Sequence, residues 1–243
     1  MKGKTAIKLI SIFSVAIFTA FVLVGYTSNQ KLIPIYRVQT DEKQIAITFD
    51  CAWGADKTLE ILEVLEENGV NATFFMVSFW AEKYPDMVTA IVNQGSEIGN
   101  HSSTHPHFAS MTTEQTEAEI ATSTQIIEEI SGADVKVFRA PFGEYTNDMI
   151  TICESYNQTV IQWDVDTLDW KGNSASEIVS RITSKVSAGS IILMHNNSDN
   201  VVEAIKLALP ILIAEGYEFV TVSELIYDKD YKINSNGEQI SLA

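Results

Sequence analysis

Two patterns of apolar residues divide the chain. From Leu9 to Tyr26 the sequence is apolar on every face and carries no charge. Beyond about residue 43, short apolar runs alternate with longer stretches whose apolar residues recur at helical intervals. The first pattern predicts a helix of 18 residues, roughly 27 Å long, close to the hydrocarbon thickness of a bilayer. A buried N-terminal helix would show one polar face, and this run has none. Lys2, Lys4 and Lys8 precede it, which by the positive-inside rule predicts a cytoplasmic N-terminus with the rest of the chain outside. An uncleaved single-pass anchor in the cell membrane is the expectation. Removal as a signal peptide, at a weak site between Gly25 and Ser28, is the alternative.

The second pattern predicts strands at 44–50, 72–77, 96–99, 135–139, 159–165, 190–195 and 217–222. Helices are predicted near 56–68, 80–94 and 112–131, with others between the later strands. Gly69, Gly95, Gly132, Gly189 and Gly216 stand where helices should end. Seven strand and helix units in alternation imply a parallel sheet covered by helices, either closed or open. Asp50, Asn100 with His101, Arg139, Asp164 with Asp166, and His195 all fall at or just past carboxyl ends of these strands. A closed barrel would gather them on one face, where an open sheet would spread them along a line. The expected organisation is a signal or anchor helix over 1–26, a spacer over 27–42, a barrel domain over 43–226, and a polar tail over 227–243 that frays or docks loosely.

Composition narrows the function. With 46% hydrophobic and 20% charged residues, the chain is neither disordered nor a polytopic membrane protein. Its formal charge is −16. Beyond the three N-terminal lysines, 13 basic residues face 32 acidic ones, a charge of −19. Such a field repels phosphate backbones, so no nucleic acid partner is expected. The two cysteines, Cys51 and Cys153, are too few for a disulfide framework.

Five segments could carry chemistry. Asp50 ends the apolar strand of Thr48-Phe49-Asp50, as a shielded general base would, or as a turn or cap residue would. His101 and His105 are spaced to share a cation on a helical turn, although Pro106 favours a loop, and such a pair also occurs by accident on surfaces. Arg139 leaves a strand into Pro141-Phe142-Gly143 and could orient a carboxylate or form a surface ion pair. Asp164, Asp166 and Asp169, between Trp163 and Trp170, pair aromatic faces with hydrogen-bonding acids, which suits a sugar ring as well as an ordinary turn. His195 follows a wholly apolar run, as a catalyst or as a satisfied core residue.

Together, TFD (48–50), HSSTH (101–105), RAPFG (139–143), DTLDW (166–170) and ILMH (192–195) resemble the five motifs of the polysaccharide deacetylase domain, the NodB homology domain of carbohydrate esterase family 4. The resemblance covers about residues 43–226. The wording TFDCAWG, WDVDTLDWK and SIILMHN is most similar to a sporulation-associated, single-anchor branch of that family. It implies a distorted (β/α)7 barrel preceded here by an N-terminal transmembrane helix. The implied activity is a metal-dependent hydrolase that removes N-acetyl groups from the amino sugars of a cell-wall glycan, working as a monomer. Carried over by position, Asp50 is the base, His195 the acid, Arg139 the group that orients Asp50, and Asp169 the partner of His195. His101 and His105 hold a divalent metal, zinc first, and Trp170, Leu193, Pro141 and Phe142 line the substrate groove. One position departs from the pattern: Cys51 stands where the family has a metal-binding aspartate. The thiolate could replace that ligand, or the side chain could turn away and leave two histidines, or the site could be inactive. An inactive site would leave a glycan-binding envelope module.

Overall fold

The computed structural model describes residues 31–243, so the predicted membrane helix and the first part of the spacer lie outside the described residues. No helix among the described residues is long and apolar enough to cross a membrane.

In chain order the elements are β1 (Arg37–Val38), β2 (Gln44–Cys51), α1 (Thr58–Glu67), β3 (Thr73–Met76), α2 (Ser78–Lys83), α3 (Pro85–Gln94), β4 (Glu97–Asn100), α4 (Thr113–Ser131), β5 (Val137–Phe138) and α5 (Asn147–Ser155). There follow β6 (Thr159–Val160), β7 (Val165–Asp166), α6 (Ala175–Lys185), β8 (Ile191–His195), α7 (Val201–Ala214), β9 (Glu218–Phe219), α8 (Val222–Leu225), β10 (Tyr231–Ile233) and β11 (Glu238–Ser241). The main sheet has the order β6-β5-β4-β3-β2-β8-β7, every neighbouring pair parallel, and β9 adds to the start of β2. Helices cover its outer face. That burial on both sides explains why β2 and β3 read as continuous apolar runs rather than alternating ones.

Alternation along β2 still sorts the side chains. Ile45, Ile47, Phe49 and Cys51 join the cluster between sheet and helices, while Ala46 belongs to the cluster inside the curl, with Phe75, Val137 and Ile191. Thr48 and Asp50 share the inward parity of Ala46. Helix ends follow the sequence chemistry: Thr112 with Gln115, Ser174 with Glu177 and Thr221 with Glu224 form capping boxes. The predicted helix at 80–94 is two helices, because Pro85 cannot donate an amide hydrogen and opens a new first turn instead.

The sheet curls without closing. The two edges, β6 and β7, are not paired, because the predicted strand over 159–165 breaks after Val160. Gln162 donates its amide to Ile35 O (2.7 Å) and accepts from Arg139 Nη2 at its own carbonyl (3.1 Å), so the chain leaves the ladder there. The N-terminal segment fills the seam: Ile35 N donates to Val160 O (3.0 Å), and Val38 N to Gly189 O (2.9 Å). Gly189 permits this approach, since a Cβ there would sit 1.8 Å from Val38 O.

The tail expected to fray does not. β10 and β11 form an antiparallel hairpin, and β11 pairs in parallel with β1. Gln239 is fully buried and exchanges hydrogen bonds with the Tyr227 backbone, which accounts for the order of a segment whose composition is polar.

Candidate active site

Asp50 and His195 are cross-strand partners at the carboxyl ends of β2 and β8. Both line a cavity of about 680 Å³, within the range that holds small ligands. Of the sequence-predicted residues, His101, His105, Phe142, Asp169, Trp170 and Leu193 line it as well. Arg139 and Pro141 do not. Arg139 is fully buried behind Asp50, and Pro141 is buried. Asp164 is not at the mouth either: it accepts from Ile191 N (2.8 Å) and Ser190 Oγ (2.8 Å) at the opposite end of β8.

On the β2 side, Arg139 Nη1 donates to Asp50 Oδ1 (2.9 Å) and to Thr48 Oγ1 (2.7 Å), and its guanidinium lies 4.1 Å from the centre of the Phe75 ring. Burial alone would raise the Asp50 pKa. The positive charge of Arg139, with His101 and His195, outweighs it and brings the carboxyl below its ordinary value. Asp50 is therefore an ionised acceptor at neutral pH.

On the β8 side, Asp169 grips His195 with both oxygens. Oδ1 accepts from Nδ1 (2.8 Å) and Oδ2 from the backbone amide (2.7 Å). Nε2 is the ring nitrogen left for the cavity. Burial pulls the His195 pKa down, but the Asp169 hydrogen bond and charge, with Asp50 and Asp166, raise it above the usual 6.5. Sequence spacing alone gave no sign that Asp169, on a 3₁₀ turn after β7, would reach β8.

His101 and His105 stand on the loop after β4, where Ser102 and His105 adopt left-handed backbone conformations in place of a helical turn. Asn100, buried beneath, accepts from Ser102 N (2.8 Å) and fixes that turn. His101 Nδ1 donates to Arg139 O (2.7 Å), which leaves Nε2 as a bare lone pair 3.6 Å from Asp50 Oδ2. The rings of His101 and His105 are 5.0 Å apart. Burial lowers both pKa values, that of His105 to about 4, so both are neutral lone-pair donors.

Two donors suit a divalent transition ion. A third is missing, because no group of three or more His, Cys, Asp or Glu side chains is placed to hold a metal among the described residues. Cys51 is the reason on this strand. It is fully buried on the helix-facing side of β2, its thiol 3.8 Å from Phe49 O, and it does not line the cavity. Burial, with the Asp50 charge, raises its pKa well above the usual value, which disfavours a thiolate. Of the three outcomes left open for Cys51, the geometry opposes the thiolate ligand.

The cavity also includes Trp163, whose indole the sequence had paired with the acids, and residues given no role there: Trp53, Asn197, Ser198 and Asp199. The signal for these last four was position, two to four residues past Asp50 or His195.

Residues 37–161 match the family described as polysaccharide deacetylase. A peptidoglycan-N-acetylglucosamine deacetylase of Bacillus cereus is 33% identical over 189 residues, covering 76% of this chain and 69% of that protein. A solved CE4 family pseudoenzyme from Bacillus anthracis superposes with a TM-score of 0.78 at 30% identity, over 81% of this chain and 69% of that one. A solved peptidoglycan N-acetylglucosamine deacetylase in complex with an N-hydroxybenzamide superposes with a TM-score of 0.76 at 31% identity, over 79% of this chain and 92% of that one.

Proposed function

Since this chain belongs to the polysaccharide deacetylase family, we propose that it is a hydrolase that removes N-acetyl groups from amino sugars of a peptidoglycan-like cell-wall glycan. One observation carries the reading: a carboxylate and an imidazole are register partners facing one cavity, each backed by a buried group of opposite sign. Asp50 takes a proton from the attacking water, and Arg139 holds the carboxylate in place for it. His195 delivers a proton from Nε2 to the departing sugar amine, while Asp169 keeps the ring oriented and charged. Trp170, Leu193 and Phe142 supply the apolar walls that hold the acetyl group and the sugar face. A divalent ion, zinc first, would be held by His101 and His105 with water completing its coordination, where it would polarise the acyl carbonyl and acidify a bound water. In this reading the chain works as a monomer, tethered by its N-terminal apolar run to the outer face of the cytoplasmic membrane, where cell-wall glycan lies within reach.

The test is acetate release from N-acetylated cell-wall glycan, together with the metal content of the purified protein. Acetate release that rises with added zinc is the expected result. No acetate from any N-acetylated glycan, with or without metal, overturns it. A second reading, a glycan-binding envelope module without turnover, is favoured by the buried Cys51. Under that reading Asp50→Asn leaves the cellular phenotype intact, whereas under the hydrolase reading it abolishes it.

A further inference from the structure

The break in the sheet after Val160 puts an amide where the interior is otherwise apolar. Gln162 is 1% exposed and follows Ile161, which with Ile35 belongs to the apolar cluster inside the curl. A buried amide is kept only where its polar atoms are bonded. Each of three contacts of Gln162 reaches a different segment: its backbone amide donates to Ile35 O (2.7 Å), its carbonyl accepts from Arg139 Nη2 (3.1 Å), and its side-chain Nε2 donates to Gly143 O (3.2 Å).

The first two contacts form a line to the base. Ile35 N is bonded to Val160 O (3.0 Å), Ile35 O holds Gln162, Gln162 O holds the Arg139 guanidinium, and Arg139 Nη1 holds Asp50 Oδ1 (2.9 Å). The links from Ile35 to the Gln162 carbonyl are all main chain. The third contact serves the turn after β5. Phe142 is left-handed there, with φ 59° and ψ 6°, and Gly143 follows at φ +70°. A residue with a Cβ stays in that region only where its surroundings impose it. Gly143 N donates to Ala140 O within the turn (3.1 Å), and the neighbouring segment packs close, since a Cβ on Gly143 would lie 3.2 Å from the Trp163 ring and 3.4 Å from Gln162 Oε1. The Phe142 ring lines the cavity, flat against His107 with centres 4.1 Å apart and edge-on to His105 at 4.7 Å. Where that ring stands depends on the turn that Gln162 holds.

We propose that Gln162 is a positioning residue for the reaction: its main chain couples the N-terminal segment at Ile35 to the base, and its side chain fixes the Phe142 wall. This rests on the hydrolase reading above and adds to it a part played by residues that touch neither substrate nor metal. The two routes are separable, because only one of them uses the side chain. Losing Nε2 loosens a wall that holds substrate equally before and during the reaction, which raises KM and leaves kcat. Loosening Ile35 lets Gln162 O draw back from Arg139, so that Asp50 loses its fixed direction and kcat falls.

The experiment measures acetate release by the full-length chain, in detergent with zinc, from soluble fragments of N-acetylated cell-wall glycan, and Tm alongside. Gln162→Met, similar in volume but without the donor, raises KM about fivefold and holds kcat to within about twofold. Ile35→Ala lowers kcat about tenfold and holds KM to within about twofold, and Ile35→Val recovers most of the loss. Leu212→Ala, in the helix-facing cluster and outside the cavity lining, is the control for lost stability: it lowers Tm and leaves both constants. If Gln162→Met leaves KM unchanged, if Ile35→Ala leaves kcat unchanged, or if all three variants lose activity in proportion to Tm, the positioning role is overturned while the hydrolase reading stands. If the wild type releases no acetate, the hydrolase reading falls and the positioning role falls with it.

Discussion

The two walls of the cavity are built alike and charged oppositely. Asp50 and His195 project from adjacent strands at the same level, and each is bonded from behind by a buried group of opposite sign. Behind Asp50 the counter-charge is a guanidinium with no solvent exposure. Behind His195 it is a carboxylate, and the imidazole itself keeps 27% of its surface open. Burial works against ionisation on both walls and loses on both. Protonation state is therefore set by what stands in the second layer, and that layer is where the walls can be made to differ.

The largest effect comes from deleting either reacting group. Asp50→Asn and His195→Ala each lower kcat by about 10²- to 10⁴-fold, measured as acetate release, with the fold intact by circular dichroism. Next is Arg139→Met, which leaves Asp50 buried without its partner and costs about 3–5 kcal/mol in denaturant unfolding at neutral pH. The sign follows from the lowered Asp50 pKa. The ion pair stabilises above the carboxylate range and is lost as pH falls through the folded value, so the deficit of the variant shrinks in acid. In the same variant the acid limb of the rate profile moves to higher pH.

Asp169→Asn sharpens the contrast on the other wall. The wild-type rate is lost as pH rises through the raised His195 pKa. Without the negative charge behind it that pKa falls, the alkaline limb moves to lower pH, and the rate at neutral pH drops about tenfold. Arg139→Met and Asp169→Asn thus shift opposite limbs, and a shift of the same limb in both would refute the assignment. The smallest effect is that of Cys51→Asp. A carboxylate in the helix-facing cluster lowers Tm in chelator, and zinc recovers it more than in the wild type if that position can reach an ion beside His101 and His105. No zinc dependence of Tm would exclude it as a ligand position.

The features legible in the sequence were those that local chemistry decides. Gly189 ends no helix, α6 having closed at Val186, but the central strand and the helix ends at Gly69, Gly95, Gly132 and Gly216 follow from residues within a few positions of each other. So does the gathering of Asp50, His101 and His195, because each ends a strand of one parallel sheet. What stayed hidden depends on distant partners. The break after Val160 is made by Ile35 and Arg139, and the order of residues 231–241 by β1. Asp50 and Cys51 are a special case: simple alternation predicts that neighbours on a strand face opposite ways, and continuing β2 through Cys51 was enough to send the thiol outward. That Trp53 and Ser198 line one cavity depends on the contact between two loops 142 residues apart.

The pairing of β11 with β1 has a consequence for how the molecule is made. Residues 238–241 leave the ribosome long after Arg37 and Val38, yet they pair with those two residues, which fill the gap between the sheet edges. An early part of the domain thus waits for a much later one, and β1 gains its parallel partner only once β11 has been made. A stop codon just ahead of Tyr231 would spare every residue of the cavity and still deliver a chain whose first strand has lost its parallel partner.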